Sequence, residues 1–218
     1  MEAKRLGILL SGRGSNMRAL VEATRQNRLP AQVALVVANV AEAEGLTWAR
    51  DEGFPTVVLD QHDFKRREEH DQAVVQELEK HEVDLVCLAG YMRLLSPWFV
   101  KRFPGRILNI HPSLLPAFPG LDAQQLAIDH GVKLSGCTVH LVDEQLDHGP
   151  IIGQRAVPVL EGDTVESLSA RILAQEHILY PAAVRLMCLG LVRVEGRRAH
   201  ILDPTQADEE PPAGPEPA

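Results

Sequence analysis

Cysteine is scarce in this 218-residue sequence: Cys87, Cys137 and Cys188 stand far apart and form no C-x-x-C pair. An odd number at such spacing argues against a disulfide framework and points to a reducing, cytoplasmic compartment. Long apolar runs are missing too. Leu6 to Leu10 follows Lys4 and Arg5 but is too short for a signal peptide, and nothing approaches the ~20 apolar residues of a membrane span. No H-E-x-x-H and no Cys/His set at ligand spacing occurs, so no metal is expected. A Walker A loop is absent, as are a G-x-S-x-G elbow and any Cys-His arrangement, which leaves no activated nucleophile in view. There is no basic excess: the net charge is -8, and the five acidic residues from Asp203 onward account for all but -3 of it. The body therefore has no electrostatic footprint for nucleic acid, although a local basic pocket for a phosphate stays open. No internal repeat is visible.

What is present is enough apolar material, 45% of the residues, for one well-buried domain. Residues 1–202 read as that domain, and 203–218, rich in Pro, Glu and Ala without aromatics, as a disordered acidic tail. Apolar runs at Leu6–Leu10, Ala31–Ala38, Thr56–Leu59, Asp84–Ala89 and Arg106–Ile110 alternate with helical spacings at Met17–Arg28, Ala43–Glu52 and Phe64–His81. The pattern predicts an α/β fold with a Rossmann-like, parallel N-terminal half. Lys133–Val142 and Ile151–Val159, joined by a short polar loop, predict an antiparallel hairpin, so the central sheet should be mixed and flanked by helices. A long helix over Thr164–Met187, with Pro181 inside it, and a terminal β-ribbon around Gly196 complete the chain.

Three stretches could carry chemistry. After the first strand comes Ser11-Gly12-Arg13-Gly14-Ser15-Asn16, where Ser15 or Asn16 could cap a helix whose free N–H groups suit an anion. Met17 stands where a dinucleotide fingerprint wants its third glycine, and Asn39 rather than an acidic residue ends the second strand. The second stretch is Asn109-Ile110-His111-Pro112, followed by Pro116 and Pro119. Asn109 and His111, two apart at a strand end, should point the same way, and the prolines leave little backbone freedom behind them. The third is the acidic turn Asp143-Glu144-Gln145-Leu146-Asp147-His148-Gly149-Pro150. Read singly, the second and third are more often plain turns, while the glycine turn is as readily a phosphate site as an empty one. If the sheet brings the acidic turn beside Asn109 and His111, an Asp would stabilise an imidazolium able to donate a proton, and Asn109 would supply an N–H to an oxyanion. Chemistry would then be direct acyl-type transfer between two bound substrates. Read from pattern alone, Arg66 and Arg67 lie on a solvated helix face, and His62, His70, His81, His130 and His200 read as surface.

Taken in order, SGRGSN, GYMRLLSP, NIHPSLLPAFPG, GCTVH, DEQLDHGPI and QEHILYP make the chain resemble the phosphoribosylglycinamide (GAR) formyltransferases, folate-dependent enzymes of purine (IMP) synthesis, over about residues 5–195. The resemblance implies transfer of a formyl group from 10-formyltetrahydrofolate to GAR. It implies a catalytic trio of Asn109, His111 and Asp147. It implies GAR contacts at Gly14, Ser15, Asn16 and Glu176, and folate contacts at Arg67, Met92, Arg93, Leu94, Leu95 and Asn109. Asp122 departs from relatives that place His there. Formyltetrahydrofolate hydrolase and methionyl-tRNA formyltransferase share the domain but usually add segments this chain does not display. A nucleotide-binding oxidoreductase and a non-catalytic phosphate-binding module are the readings outside the family.

Overall fold

The computed structural model describes residues 2–203, so the expected tail lies outside the described residues except for Asp203. The first half alternates strand and helix: β1 (Lys4–Leu10), α1 (Ser15–Arg25), β2 (Ala31–Ala38), α2 (Glu44–Asp51), β3 (Thr56–Val58), a 3-10 turn at Gln61–Asp63, α3 (Arg67–Lys80), β4 (Leu85–Leu88), α4 (Pro97–Arg102) and β5 (Ile107–His111). The second half adds α5 (Ala123–Asp129), β6 (Leu134–Leu141), β7 (Ile151–Pro158), α6 (Val165–Cys188), β8 (Val192–Glu195) and β9 (Arg198–Ile201).

All nine strands among the described residues join one sheet in the order β3-β2-β1-β4-β5-β6-β7-β9-β8. The five strands from β3 to β5 run parallel. β6 then pairs antiparallel with both β5 and β7, as the hairpin pattern predicts. Because β1 lies between β2 and β4, chain direction across the sheet reverses there, and the crevice outside the carboxyl ends of these strands is the natural ligand site of such a fold.

Alternation along the strands feeds two cores. Leu6, Ile8 and Leu10 of β1 pack with Met17 and Leu20 of α1, Leu46 of α2 and Tyr180 and Val184 of α6. Leu9 faces the other way, with Val74, Val75 and Leu78 of α3 and Phe99 of α4. α6 is fixed across the middle of the sheet by Tyr180, whose buried hydroxyl lies 2.9 Å from the Leu88 carbonyl and 3.2 Å from that of Leu108. It starts with Thr164 and Ser167 in a reciprocal cap and runs through Pro181.

Two expectations are corrected. Neither Ser15 nor Asn16 caps α1: Gly14 takes the cap position in the left-handed region, with no side-chain cap. A Cβ on Gly14 would stand 2.8 Å from the Gly45 Cα, so the close approach of this turn to the start of α2, besides the φ of 72°, requires glycine. His70 is not a surface residue but fully buried, because it lies on the face of α3 that carries Val74 and Leu78. The three cysteines are free and buried. No helix among the described residues is long and apolar enough to cross a membrane.

Candidate active site

β5 ends at His111, and its register against β6 sets Asn109 opposite His140 and His111 opposite Thr138. Thr138 fixes the proline-rich segment that follows. Its hydroxyl donates to the Ser113 carbonyl at 2.7 Å and accepts from Leu115 N–H at 3.1 Å, while Ser113 Oγ donates to the Ala117 carbonyl at 2.6 Å. The Leu115–Pro116 bond is cis. The segment then bends back through Phe118, Gly120 and Asp122, all with positive φ.

That bend and the loop after β6 meet at Asp147. Its Oδ2 accepts from Gly120 N–H at 2.8 Å and lies 3.4 Å from His111 Nδ1; its Oδ1 lies 3.3 Å from Asn109 Nδ2 and 3.6 Å from His140 Nε2. Asp147 holds a φ of 47°, a conformation Asp tolerates better than most residues. Burial alone would raise its carboxyl, but His140, the Gly120 N–H and the charge of His111 together hold it below the ordinary aspartate value.

The hydrogen-bond partners assign the protons. His140 Nδ1 meets the Leu141 carbonyl at 2.9 Å and so donates, while its Nε2 lies between Asn109 Nδ2, at 3.1 Å, and Asp147 Oδ1, at 3.6 Å. His111 Nε2 meets the Phe118 carbonyl at 2.8 Å and so carries a hydrogen, while its Nδ1 faces the carboxylate. Sequence reasoning thus missed His140. The signal was the alternation of Thr138 and His140 along β6, which points at the site only once the pairing with Asn109 is known.

A cavity opens beside this cluster, lined by Asn109, His140 and Asp147, by Val142 to Leu146, and by Leu88, Tyr91, Arg93, Leu94 and Leu95. Of the residues expected to contact folate, Arg93, Leu94, Leu95 and Asn109 line it. Met92 is two-thirds exposed and Arg67 opens α3; neither lines the cavity. Of the residues expected to contact GAR, Asn16 Nδ2 donates to Glu176 Oε2 at 2.7 Å, joining α1 to α6, with Gly14 and Ser15 at the same helix start. Burial raises the Glu176 carboxyl, and the Asn16 hydrogen bond only partly offsets it. Asn16 Oδ1 is buried without a hydrogen-bond partner. Among the described residues no group of three or more His, Cys, Asp or Glu side chains is gathered as for a metal ion.

Such a site, an amide, two imidazoles and one carboxylate at the carboxyl end of a sheet, can stabilise an oxyanion and move a proton. A family model described as formyl transferase matches residues 4–184. The chain belongs to the formyl transferase family. Within it, phosphoribosylglycinamide formyltransferase from Escherichia coli K12 is 40% identical over 194 residues, covering 89% of this chain and 92% of that protein. The trifunctional purine biosynthetic protein adenosine-3 from Gallus gallus is 49% identical over 190 residues, 87% of this chain, and the chain spans only 19% of that protein's length. Among solved structures, glycinamide ribonucleotide transformylase 1 from Symbiobacterium toebii has a TM-score of 0.91 and 52% identity, covering 93% of this chain and 95% of that one. The α/β fold described above, a mixed central sheet flanked by helices, matches that of the solved glycinamide ribonucleotide transformylase.

Proposed function

We propose that this protein transfers the formyl group of 10-formyltetrahydrofolate to the amine of GAR, the step of purine synthesis for which its relatives are named. The observation that carries the reading is the meeting of Asn109, His111 and Asp147 in a chain of this family, with Asn109 and Asp147 lining a cavity. The neutral glycinamide amine attacks the formyl carbon, and its electron pair forms the new C–N bond. Asn109 N–H and the His111 imidazolium hold the oxyanion. When the oxyanion collapses, the bond to the folate nitrogen breaks, that nitrogen takes a proton, and the attacking amine loses one. Asp147, 3.4 Å from His111 Nδ1, faces the imidazolium with its carboxylate and receives or relays protons.

Both donors are occupied within the protein alone: Asn109 Nδ2 by Asp147 and His140, and His111 Nε2 by the Phe118 carbonyl. Substrate must therefore replace partners rather than fill empty valences, which keeps these groups oriented beforehand. Gly14, Ser15, Asn16 and Glu176 are assigned to GAR, whose phosphate suits the uncapped start of α1. Arg93, Leu94, Leu95 and Asn109 are assigned to folate, with Met92 and Arg67 as outer contacts. The catalytic unit is taken as residues 1–202, and buried free thiols suit a cytoplasmic setting.

The test is formyl transfer by the purified protein with 10-formyltetrahydrofolate, with and without GAR. Tetrahydrofolate release that requires GAR supports the reading. Equal release without GAR identifies a hydrolase, and no release in either case leaves a binding module.

A further inference from the structure

A second polar cluster lies behind the cavity wall and takes no part in the reaction above. His70 and Asp71, on the inner face of α3, are both fully buried. His70 Nδ1 and Asp71 Oδ1 stand 3.8 Å apart, His70 Nε2 donates to the Leu59 carbonyl at 2.9 Å, and Asp71 Oδ2 accepts from Ser96 N–H at 2.7 Å. Ser96 in turn caps α4, its hydroxyl accepting from Phe99 N–H. A buried carboxylate costs stability unless its acceptor positions are filled. Here Asp71 Oδ1, His70 Nδ1 and the Tyr91 hydroxyl are all buried without hydrogen-bond partners. Such an arrangement is a poor way to gain stability, which directs attention to what it holds in place.

What it holds is the segment between β4 and α4, residues 90–96, from which Tyr91, Arg93, Leu94 and Leu95 face the cavity. The near end is tied to the sheet: Met92 N–H donates to Ser11 Oγ at 2.8 Å, and Ser11 donates to Asn39 Oδ1 at 2.6 Å. Gln61 Oε1 then accepts from both Asn39, at 3.1 Å, and Arg93, at 3.3 Å. The far end depends on the bond from Ser96 N–H to Asp71, a charge-assisted one in a dry setting. We propose that Asp71 is a positioning residue for the folate co-substrate, fixing the backbone of Tyr91–Ser96 and so the wall against which that co-substrate lies. The proposal rests on the folate reading given above. Because Asn16 and Glu176 belong to helices on the opposite face of the sheet, the effect should separate the two substrates.

Steady-state kinetics of Asp71→Ala and Asp71→Asn, with thermal unfolding alongside, tests it. Asp71→Ala should raise KM for 10-formyltetrahydrofolate roughly tenfold and leave KM for GAR within about twofold. Asp71→Asn keeps an acceptor for Ser96 N–H without the charge and should fall between, at roughly threefold. If Asp71→Ala does not unfold cooperatively, the Asn variant decides alone. An unchanged folate KM in Asp71→Asn, an equal rise in both KM values, or a loss confined to kcat overturns the positioning role. Absence of transfer in the unaltered protein is a separate failure, seen without any variant, and removes the functional reading together with the proposal.

Discussion

At the scale of single residues, Asp147 is the junction of the site. It touches His111, Asn109, His140 and the Gly120 N–H at once, so its charge organises every donor that the reaction needs. Asp147→Asn keeps the side-chain shape, and asparagine tolerates the same positive φ, so the variant should fold. Its neutral amide no longer favours the His111 imidazolium. Turnover should fall by roughly 10²–10⁴-fold, as should that of His111→Ala, while the unfolding midpoints stay near that of the parent. Normal turnover in Asp147→Asn would remove this residue from the mechanism. The meeting of Asn109 and His111 with an acid of the following turn was legible in local pattern, a strand end before Pro112 and a turn closed by Gly149-Pro150, whereas the choice of Asp147 within that turn came from the family resemblance. His70 was misread because Glu68 and Glu69 beside it are charged, whereas the helix turns it inward with Val74. Periodicity gave the face; neighbours in sequence did not.

At the scale of elements, the site depends on how β6 turns into β7. The loop from Asp143 to Pro150 delivers Asp147, and its far end is closed by Leu141 N–H on the Pro150 carbonyl at 2.9 Å. A Cβ at Gly149 would stand 1.9 Å from the Leu141 carbonyl oxygen, in backbone that cannot step aside. Gly149→Ala should therefore both destabilise the protein, by about 1–3 kcal/mol, and shift Asp147. The check is denaturant unfolding together with transfer kinetics. A folded variant with parental kcat would show that the loop's position does not matter to the chemistry. The elements were largely readable beforehand. The parallel βαβ run and the hairpin follow from apolar runs and turn residues, whereas α1's cap does not, because the approach of Gly14 to Gly45 at the start of α2 is a contact between residues far apart in sequence. The β5–β6 register was equally out of reach, and with it His140.

At the scale of the whole molecule, carboxyls of opposite tendency set the dependence of stability on pH. Asp71, Asp147 and Asp163 all lie below the ordinary value of 3.8. At Asp71 and Asp147 the cost of burial is outweighed by hydrogen bonds and nearby histidines, and at Asp163 by Arg171, the Leu160 N–H and Ser167. A lowered folded value means stability that is fully present above 3.8 and lost as pH falls through the folded values. Glu176 has the opposite sign. Raised by burial above 4.5, it favours folding below that pH, and the contribution is lost as pH rises through its folded value. Thermal midpoints should therefore fall as pH drops below about 3.8, and Asp163→Asn should make that fall shallower while lowering the midpoint at neutral pH. Glu176→Gln removes the other effect, so its midpoint should gain on the parent's as pH rises above 4.5. Midpoints measured by calorimetry from pH 2.5 to 8 on the three proteins settle the assignment. Parallel profiles for parent and Glu176→Gln would mean that burial does not raise the Glu176 carboxyl above its unfolded value, and would remove it from the pH dependence.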